Sequence, residues 1–556
     1  MSTNVYGIDL GTTYSCIAKL DENGNPEVIE NFMDGSHTLA SAVYFEEGSD
    51  NVLVGESAKA YQDVSPERLV QFAKREIGKP NGKVYKIDDK EYTPIEISAL
   101  ILKKLKEMAE EQGETVSDVI ITCPAYFGLE EVAATKKAGE LAGMNVLNIV
   151  HEPTAAAINY CYREFQEDQT VLVYDLGGGT FDVTIFRMSM IKDENGKDTQ
   201  QMKVLASCGN DRLGGKDWDD VLYTMLLEKY CIEAGINEEE LYDQDKLEIK
   251  QKVEKIKRSL TSVTSARENF KINGRIAKIV ITRDEFEEET KDLVSQTMSL
   301  LDRALQEAKD VKIDKVLLVG GSTYMPMIWS AVAERFPGLV QREDPEQAVA
   351  KGAAVYASIL VNEIGKESEG EPEPNPISDP NPDPGRQGAM RIISVLDQTS
   401  RSFGVGVYMQ SESDKEYKYT VDNLILRGTE IPATVTKGGY CPLEDNQDNI
   451  LVRIFESMTL KEQVTPCVDA DGNPQDTDPE YLMKVLGTLT LELPPNTPKE
   501  TELEVTFTID GAGLSVTAKN LATNDSNSVK LKYTTSMTEE QTEASLHKVN
   551  ALTFKD

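Results

Sequence analysis

Two short segments, DLGTT at residues 9–13 and DLGGGT at residues 175–180, decide the fold of this chain. Each follows an apolar run, VYGI at residues 5–8 and VLVY at residues 171–174, and each joins an Asp, a glycine turn and a Thr. Glycine lets backbone N–H groups approach phosphate oxygens, and the Thr hydroxyls add donors. The Asp carboxylates suit a hydrated Mg²⁺, which prefers oxygen ligands. The pair therefore predicts two facing hairpins that clamp a triphosphate between two half-domains.

A structural reading of these segments competes with the functional one. Hairpin turns use Asp, Gly and Thr for geometry alone, so a single Asp-x-Gly-x-Thr pattern is weak. Two copies at the ends of apolar strands favour function. The triple glycine at residues 177–179 points the same way, because glycine is poor strand material and needs a reason.

Composition excludes several function classes. At 556 residues the chain is too long for one core, and roughly two to four domains are expected. Acidic residues outnumber basic ones by 95 to 58, which disfavours binding to nucleic acid or to anionic membranes. Seven cysteines without CxxC spacing and three histidines make a zinc site improbable. Without a signal peptide or a membrane span in the sequence, a cytoplasmic protein with reduced thiols is expected.

The pattern of the chain changes at a Pro-rich acidic stretch, residues 367–385, which predicts an extended linker. Before it, strand-like and helix-like segments alternate, as in an α/β fold. After it, strict alternation such as LEVTFTI at residues 503–509 predicts an antiparallel sandwich. Near the end, TEEQ at residues 538–541 is a capping-box pattern that opens one short helix.

Nine segments in order resemble the 70-kDa heat-shock chaperone family (DnaK-type), over nearly the whole chain. Actin and sugar kinases share only the paired phosphate loops. The segments are GIDLGTTYSC (7–16), ITCPAYF (121–127), HEPTAAAINY (151–160), DLGGGTFDVTIF (175–186), LGGKDWD (213–219), VLLVGGSTYMP (316–326), DPEQAVAKGAAVYA (344–357), EDNQDNILVRIFE (444–456) and FTIDGAGLSVTAKN (507–520).

The resemblance implies a multidomain architecture. An α/β actin-like ATPase domain, built from a duplicated ribonuclease-H-like unit, would cover residues 1–366. A Pro-rich acidic interdomain linker would cover residues 367–397, and an antiparallel β-sandwich peptide-binding domain residues 398–536. A short C-terminal helix, a truncated lid, would occupy residues 537–556.

The resemblance also implies ATP hydrolysis with Mg²⁺, K⁺ being a further candidate ion. Asp9 and Asp175 would hold the metal, mainly through water, and Lys74 matches the lysine that positions the attacking water. Positioning and charge neutralisation would then supply most of the catalysis. The catalytic set implied is Asp9, Lys74, Glu152, Asp175, Thr180 and Asp182. The set implied to hold ATP or ADP is Gly11, Thr12, Thr13, Tyr14, Gly177, Gly178, Gly179, Gly214, Gly215, Glu254, Lys257, Arg258, Thr261, Gly320, Gly321, Ser322, Tyr324 and Glu346.

In the rear domain the resemblance implies a groove for unfolded or extended apolar peptides, held by backbone hydrogen bonds and a central pocket. The competing reading is that apolar residues at strand spacing form the core. The residues implied to bind peptide are Val405, Tyr440, Ile450 and Val452 in the pocket, with Tyr408 and Leu443 arching over it.

Four departures from the family pattern modify these expectations. Little lid follows residue 538, so peptide is expected to exchange quickly, and Ser394 interrupts the apolar interdomain strip. Tyr324 replaces an arginine expected to stack on adenine. The surface expected to bind a J-domain lacks arginines and an acid, so we expect either that a standard J-domain protein does not stimulate the ATPase or that a dedicated one does. The resemblance also implies a nucleotide exchange factor as a candidate partner. The altered positions of that surface are Gly128, Leu129, Val132, Asn148 and Lys203.

Two other functions stay open on sequence alone. One is an ATP-gated protein-interaction or sensing module without general refolding activity. The other is a small-molecule kinase with the same phosphate clamp, which the rear sandwich and the absence of an evident acceptor base disfavour. The leading prediction is an ATP-dependent chaperone that hydrolyses ATP to regulate peptide binding.

Overall fold

The computed structural model describes most of the chain, and the predicted linker falls largely on residues 369–392, outside the described residues. Within the described residues no helix is long and apolar enough to cross a bilayer. The described residues are 5–31, 35–62, 64–79, 82–164, 168–192, 196, 198–272, 275–309, 311–342, 344–368, 393–410, 417–466, 483–510, 513–532 and 537–555.

The chain divides into two compact units. The first contains residues 1–125, 134–394 and 537–556, and the second contains residues 126–133 and 395–536. The first unit therefore includes the C-terminal segment as well as the front of the chain.

The first lobe of the first unit is built on a mixed sheet in the order β11-β10-β1-β2-β3, with β4 paired to β2. A second small sheet pairs β6, β5 and β7. The elements of this stretch are β1 (Val5–Asp9), β2 (Tyr14–Leu20), β3 (Pro26–Val28), β4 (Leu39–Ala40), β5 (Ala42–Phe45), β6 (Asn51–Val54), α1 (Glu56–Lys59), β7 (Leu69–Gln71), β8 (Tyr85–Ile87), β9 (Lys90–Tyr92), α2 (Pro94–Glu111), β10 (Asp118–Cys123), α3 (Leu129–Leu141), β11 (Asn145–His151) and α4 (Glu152–Glu164).

The second lobe repeats this plan. Its sheet runs β18-β17-β12-β13-β14-β19, in which β12 pairs parallel with β17 and antiparallel with β13, as β1 does with β10 and β2. Its elements are β12 (Gln169–Leu176), β13 (Phe181–Lys192), β14 (Asp198–Asn210), α5 (Gly215–Ala234), α6 (Asp243–Leu260), β15 (Ser265–Ile272), β16 (Arg275–Thr282), α7 (Arg283–Glu289), α8 (Lys291–Glu307), β17 (Lys315–Val319), α9 (Pro326–Arg335), β18 (Val340–Arg342) and β19 (Ile393–Leu396). Helix α10 (Ala348–Ser368) follows β18 in the chain but packs on β1, β2 and α4 of the first lobe. The predicted α/β fold with a duplicated unit is confirmed.

Close packing of α10 fixes the first lobe behind its phosphate hairpin. A Cβ on Gly7 of β1 would lie 2.1 Å from the Ala354 backbone nitrogen of α10. A Cβ on Gly352 would lie 1.7 Å from the Ala155 carbonyl oxygen of α4. Only glycine permits such approaches. The glycine and alanine content of the segments resembling the family therefore has a packing reason.

The second unit is an antiparallel sandwich, as predicted. One sheet runs β24-β21-β20-β23-β25 and the other β22-β26-β27-β28. Alternate residues of β26 are buried, which is the expected one-faced pattern. Its strands are β20 (Ser402–Gln410), β21 (Tyr417–Ile425), β22 (Ala433–Tyr440), β23 (Asn449–Ser457), β24 (Gln463–Val464), β25 (Met483–Glu492), β26 (Leu503–Asp510), β27 (Gly513–Asn520) and β28 (Ser526–Lys532).

After the sandwich the chain forms helix α11 (Glu539–Ala551) and strand β29 (Thr553–Phe554), both part of the first unit. The predicted capping box is present, because the Thr538 hydroxyl accepts a hydrogen bond from the Gln541 backbone N–H. Strand β29 was not foreseen from the sequence, and it joins the sheet of β6, β5 and β7.

Candidate nucleotide site and peptide-binding face

The two phosphate hairpins have equivalent geometry but different charge. In the first, Asp9 of β1 lies opposite Cys16 of β2, and in the second, Asp175 of β12 lies opposite Asp182 of β13. Like charges on directly opposed strand positions repel each other. The second hairpin therefore concentrates negative charge that the first hairpin does not.

The pKa values of these carboxyl groups reflect that concentration. Burial and the charge of Glu152 raise the pKa of Asp9 to about 7. Burial, followed by the charges of Glu152 and Asp9, raises the pKa of Asp175 well above its usual range. Burial, followed by Glu152 and Asp175, does the same for Asp182. Carboxylates in this cleft are costly to ionise unless a cation joins them.

Lys74 supplies one positive charge to the cluster. It lies in a short 3-10 turn, Ala73–Glu76, directly after β7, and its ammonium contacts the carboxylate of Glu152. Both side chains are buried. Burial alone would lower the pKa of Lys74, but the charges of Glu152 and Asp9 outweigh it and raise that pKa. Lys74 is therefore a buried, protonated lysine rather than an ordinary surface lysine.

The glycines of the second hairpin make room for close loop contacts. A Cβ on Gly178 would lie 1.7 Å from the Thr13 hydroxyl, and one on Gly179 would lie 2.3 Å from Cγ2 of Thr12. The two loops therefore interlock, and Gly179 also lies 2.6 Å from where a Cβ on Gly214 would be. Larger residues would force the hairpins apart.

Backbone hydrogen bonds join the hairpin to the start of α5. The N–H of Gly215 donates to the carbonyl of Gly177 (2.9 Å), and the N–H of Lys216 donates to that of Gly178 (2.8 Å). Ser322 also donates from its hydroxyl to the Gly177 carbonyl (2.8 Å). These bonds fix the loop, so its remaining N–H groups are presented in one arrangement.

Arg75 is a positioning residue that the sequence analysis missed. Its Nε donates to the carbonyl of Gly179 (2.8 Å), and its Nη2 pairs with Asp217 in the first turn of α5 (2.8 Å). The one clue in the sequence is that Arg75 directly follows Lys74, a predicted catalytic residue. Which loop it would reach could not be read from the sequence.

Hydrogen bonds and ion pairs hold the side of the cleft that α6 forms. The carboxylate of Glu254 accepts hydrogen bonds from the Tyr14 hydroxyl (3.0 Å) and the Lys59 ammonium (2.9 Å). Lys257 donates to the Gly215 carbonyl (2.9 Å) and to Asp219 (2.8 Å). Lys59 and Asp219 were not predicted, because their partners are far away in sequence.

Tyr324 has a cation above its ring. Its side chain is 41% exposed, and the Arg342 guanidinium lies 5.4 Å from the ring centroid. Arg258 pairs with Glu346 at 3.7 Å, and the Thr261 hydroxyl donates to the Arg258 carbonyl at 2.7 Å. The exposed face of an aromatic ring can stack on a base. At the position where the resemblance predicts an arginine, the structure has the Tyr324 ring with the Arg342 guanidinium against it.

One cavity of about 410 Å³ brings most of the predicted nucleotide residues together. The predicted residues Asp182, Gly179, Gly214 and Gly215 do not line it. The predicted residues that line it are Asp9, Gly11, Thr12, Thr13, Tyr14, Lys74, Glu152, Asp175, Gly177, Gly178, Thr180, Glu254, Lys257, Arg258, Thr261, Gly320, Gly321, Ser322, Tyr324 and Glu346.

The residues in and beside this cavity fit a hydrated Mg²⁺ with a nucleotide. The Thr12 and Thr13 hydroxyls and one oxygen of Asp182 are buried and have no hydrogen-bond partner within the described part of the chain. Among the described residues no group of three or more His, Cys, Asp and Glu is arranged to ligate a metal directly. Mg²⁺ commonly keeps several waters, so Asp9 and Asp175 could hold it through water without ligating it directly.

The residues predicted to bind peptide separate into two groups. Val405 of β20 and Val452 of β23 are buried in the sandwich core, where Tyr440 and Ile450 pack against it from partly buried positions. Tyr408 is 53% exposed and Leu443 is 59% exposed. Val405 and Val452 therefore belong to the core of the sandwich, whereas Tyr408 and Leu443 lie on its surface.

A buried carboxylate lies beside the Tyr440 side chain. Asp422 of β21 lies opposite Val405 and is 2% exposed. It accepts hydrogen bonds from the Tyr440 hydroxyl (2.6 Å) and the Lys437 ammonium (2.8 Å), with Gln463 at 3.4 Å. The resemblance places Tyr440 in an apolar pocket and gives no sign of this carboxylate. The Tyr440 hydroxyl is instead anchored to the opposing sheet.

Comparison with known proteins agrees with this architecture. The family model of the Hsp70 protein matches residues 5–368. The chain is 34% identical over 543 residues to the chaperone protein DnaK of Thermotoga neapolitana, covering 94% of this chain and 80% of that protein. The same values hold for the chaperone protein DnaK of Thermotoga petrophila. The chain therefore belongs to the Hsp70 family of ATP-hydrolysing chaperones.

Proposed function

We propose that ATP hydrolysis between the two hairpins regulates the binding of extended apolar peptide segments by the sandwich. The observation that carries the nucleotide half is the charge imbalance of the cleft. Asp9, Glu152, Asp175 and Asp182 surround a single buried ammonium, that of Lys74. A site with unbalanced charge and unpaired hydroxyls is built for a cation and phosphate oxygens.

Each residue then has a role in phosphoryl transfer to water. Thr12, Thr13 and Thr180 donate to phosphate oxygens from their hydroxyls. Asp9 and Asp175 hold the waters of Mg²⁺, which neutralises developing phosphate charge when bound. Lys74 orients the attacking water.

Glu152 and Asp182 support these groups from behind. Glu152 keeps Lys74 protonated and directed into the cleft through their ion pair. Asp182, the direct cross-strand partner of Asp175, accepts hydrogen bonds from water beside the cavity. Positioning of this kind supplies much of the catalysis in phosphoryl transfer.

For the sandwich, we propose that Tyr408 and Leu443 close over a bound peptide. Both are exposed, and the Tyr408 ring packs edge-on against Tyr419 at 5.3 Å. Ile450 and Tyr440 would form the rim of a shallow pocket above the buried Val405 and Val452. An extended peptide would be held mainly by its backbone, with one apolar side chain in the pocket.

The finer assignments remain proposals. They comprise the domain limits 1–366, 367–397, 398–536 and 537–556, a K⁺ ion beside the Mg²⁺, and a cytoplasmic location. A dedicated J-domain protein and an exchange factor are proposed partners. Leu129, one of the altered J-domain positions, is 7% exposed and packs in the core cluster of the second unit, which supports a departure from the usual J-domain contact.

The test is binding of a fluorescent leucine-rich peptide to the full chain with Mg²⁺ and either ATP or ADP. Affinity is expected to be lower with ATP, and phosphate release is expected without any sugar. A Tyr408→Ala variant should bind peptide less tightly while hydrolysing ATP normally. Equal affinity in ATP and ADP would instead show that the sandwich binds peptide without coupling to the ATPase. Absence of peptide binding would support the ATP-gated sensing module, and phosphate release only with a sugar would support the kinase.

A further inference from the structure

One arginine of the second lobe lies against two aromatic rings. Arg342 is the last residue of β18, and it pairs with Leu318 of β17. Its guanidinium carbon lies 5.4 Å from the centroid of the Tyr324 ring and 4.9 Å from the centroid of the Trp329 ring. A guanidinium within about 6 Å of an aromatic centroid is attracted by the electrons of the ring. Arg342, Tyr324 and Trp329 therefore form one cluster, the Arg342 cluster.

Backbone carbonyls, rather than an acid, hold the Arg342 guanidinium. Its Nη2 donates to the carbonyl of Thr323 at 2.9 Å and lies 3.5 Å from the carbonyl of Tyr324. Within the described part of the chain no carboxylate forms an ion pair with it, whereas Arg335 of α9 pairs with Asp302. Burial lowers the pKa of Arg342. A cation that is partly withdrawn from water interacts more strongly with a ring than an exposed one does.

Trp329 connects the Arg342 cluster to the core of the second lobe. It lies in α9, the helix that follows the turn Gly321–Tyr324, and it packs, partly buried, against that core. Arg342 contacts both this anchored ring and the Tyr324 ring. A side chain that is already fixed before a ligand arrives loses less conformational entropy on binding. The cluster therefore pre-organises the Tyr324 ring.

Tyr324 is the member of the Arg342 cluster that reaches the cavity of about 410 Å³. Its side chain lines that cavity, as Glu346 does, whereas Arg342 and Trp329 do not line it. The guanidinium lies against the ring, yet the Tyr324 side chain is still 41% exposed. The ring therefore has a face available to a ligand in the cavity, and the cation lies behind it.

We propose that Arg342 and Trp329 are positioning residues for the base of a purine nucleotide, because they hold the Tyr324 ring as the surface on which that base stacks. This inference rests on the proposed function, since it takes the ligand of the cavity to be a nucleotide. The Arg342 cation draws electron density toward the covered face of the ring, which favours an electron-rich base on the other face. A purine has two fused rings and covers more of the phenol than a pyrimidine does.

A purely structural role for Arg342 predicts a different outcome. The turn Gly321–Tyr324 also carries Ser322, whose hydroxyl donates to the Gly177 carbonyl of the second hairpin at 2.8 Å. If Arg342 only held this turn through the Thr323 carbonyl, its loss would disturb the hairpin and weaken phosphate binding as well. A role in positioning the base changes only the part of the affinity that depends on the base.

The test measures, by titration calorimetry with Mg²⁺, the affinity of the full chain for ADP and for pyrophosphate, which lacks the base. Arg342→Gln removes the charge but keeps an N–H donor, and it should weaken ADP binding about fivefold. Tyr324→Ala should weaken ADP binding about thirtyfold. Both variants should bind pyrophosphate within about twofold of the unmodified chain. Added to Tyr324→Ala, Arg342→Gln should change ADP affinity by less than about twofold, because it acts through the missing ring.

Matched variants separate the charge of Arg342 from its other contacts. Arg342→Lys keeps a cation and should lose less ADP affinity than Arg342→Gln. Arg335→Gln is the control, since Arg335 also lies over a ring, 5.7 Å from the Phe336 centroid, but does not line the cavity. Its ADP affinity should stay unchanged. Binding of GDP should respond to Arg342→Gln as binding of ADP does, and binding of CDP should respond less, because a pyrimidine covers less of the Tyr324 ring.

Tryptophan fluorescence supplies a second measurement on the unmodified chain. ADP should change the emission of Trp329 more than pyrophosphate does, because only ADP places a base on the cluster that contains this residue. Trp329→Phe should remove the difference, which assigns it to Trp329 rather than to Trp218. An equal change with ADP and pyrophosphate, or no change with either, would overturn the proposal.

Two results of the titrations would overturn it as well. In one, Arg342→Gln lowers the affinities for ADP and pyrophosphate equally, so that Arg342 only holds the turn. In the other, the effects of Arg342→Gln and Tyr324→Ala on ADP affinity are additive, so that Arg342 does not act through the ring. Failure of the unmodified chain to bind ADP would contradict the proposed function itself, so the two failures are distinguishable.

Discussion

The nucleotide cleft and the sandwich both bury carboxylates, but they balance the charge differently. In the cleft, Asp9, Asp175 and Asp182 have raised pKa values and share one buried ammonium. In the sandwich, Asp422 is equally buried, yet Lys437 and its neighbours provide three donors. Internal donors make Asp422 a structural group, whereas the proposed function gives the carboxylates of the cleft their partners only when a ligand binds.

This difference separates buried carboxylates that stabilise the folded state from buried carboxylates that destabilise it. A buried carboxylate with its own partners stabilises the folded state, and removing it leaves those partners unpaired. A buried carboxylate without partners destabilises the ligand-free protein and gains its partners on binding. An Asp→Asn substitution is therefore expected to lower stability at Asp422 in the sandwich and to raise it at Asp175 in the ligand-free cleft.

The largest effect is expected at Lys74. Lys74→Ala should lower the rate of ATP hydrolysis about a thousandfold, equivalent to about 4 kcal/mol, because the water loses its positioning cation. Single-turnover phosphate release measures it. Lys86→Ala, at a surface ion pair, is the control and should keep full activity. A loss of less than about tenfold would show that Lys74 only balances charge.

Asp422→Asn should destabilise the sandwich by about 2 kcal/mol, because Lys437 and Tyr440 lose their charged acceptor. The cost stays moderate because the Lys437 side chain is 41% exposed and can reach water. Hydrogen exchange in β21 and β22 reports on this region. Unchanged exchange there would remove the contrast between the two sites.

Asp175→Asn should act in the opposite direction without nucleotide, raising stability by about 1 kcal/mol, since the folded state no longer has to bury or protonate that carboxyl group. The extra stability conferred by Mg²⁺ and ADP should fall at the same time. Both tryptophans, Trp218 and Trp329, lie in the first unit, so their fluorescence follows its unfolding. Destabilisation of the nucleotide-free variant would contradict the proposed charge excess.

The smallest effect is a pH dependence at Tyr440. Burial, then the hydrogen bond to Asp422 and its charge, raises the pKa of Tyr440 above its usual value of 10.0. The phenol therefore stays protonated when folded but ionises when unfolded, so its contribution is complete below pH 10 and falls as the pH rises above it. Urea unfolding across that range should show an alkaline loss that Tyr440→Phe reduces. Tyrosinate absorbance of the folded chain should show one late-titrating phenol fewer in that variant.

The repeating patterns of the chain were predictable. Alternation in LEVTFTI gave β26, and the TEEQ pattern gave the start of α11, because each depends on neighbours within a few residues. Both phosphate loops were predictable because the Asp, glycine and Thr residues that form each loop lie within a few positions of one another. The predicted nucleotide residues largely meet in one cavity, although their individual roles stay predictions.

Other features lay beyond sequence reasoning because they depend on distant partners. Arg75 reaches a loop 104 positions away, and Lys59 pairs with Glu254 across 195 positions. Strand β29 is only two residues long and has no strand pattern of its own. Its pairing with β6 arises from the fold.

The sequence by itself determined the α/β and β-sandwich classes, the paired phosphate loops and the excess of acidic residues, because periodicity and turn chemistry are local. Only the tertiary structure decided how the charges are shared. Asp175 and Asp422 are the same residue type in the sequence. In the structure Asp175 lies opposite Asp182, whereas Asp422 accepts hydrogen bonds from Lys437 and Tyr440. The free energy of a buried charge depends on the groups around it, and those groups come together only when the chain folds.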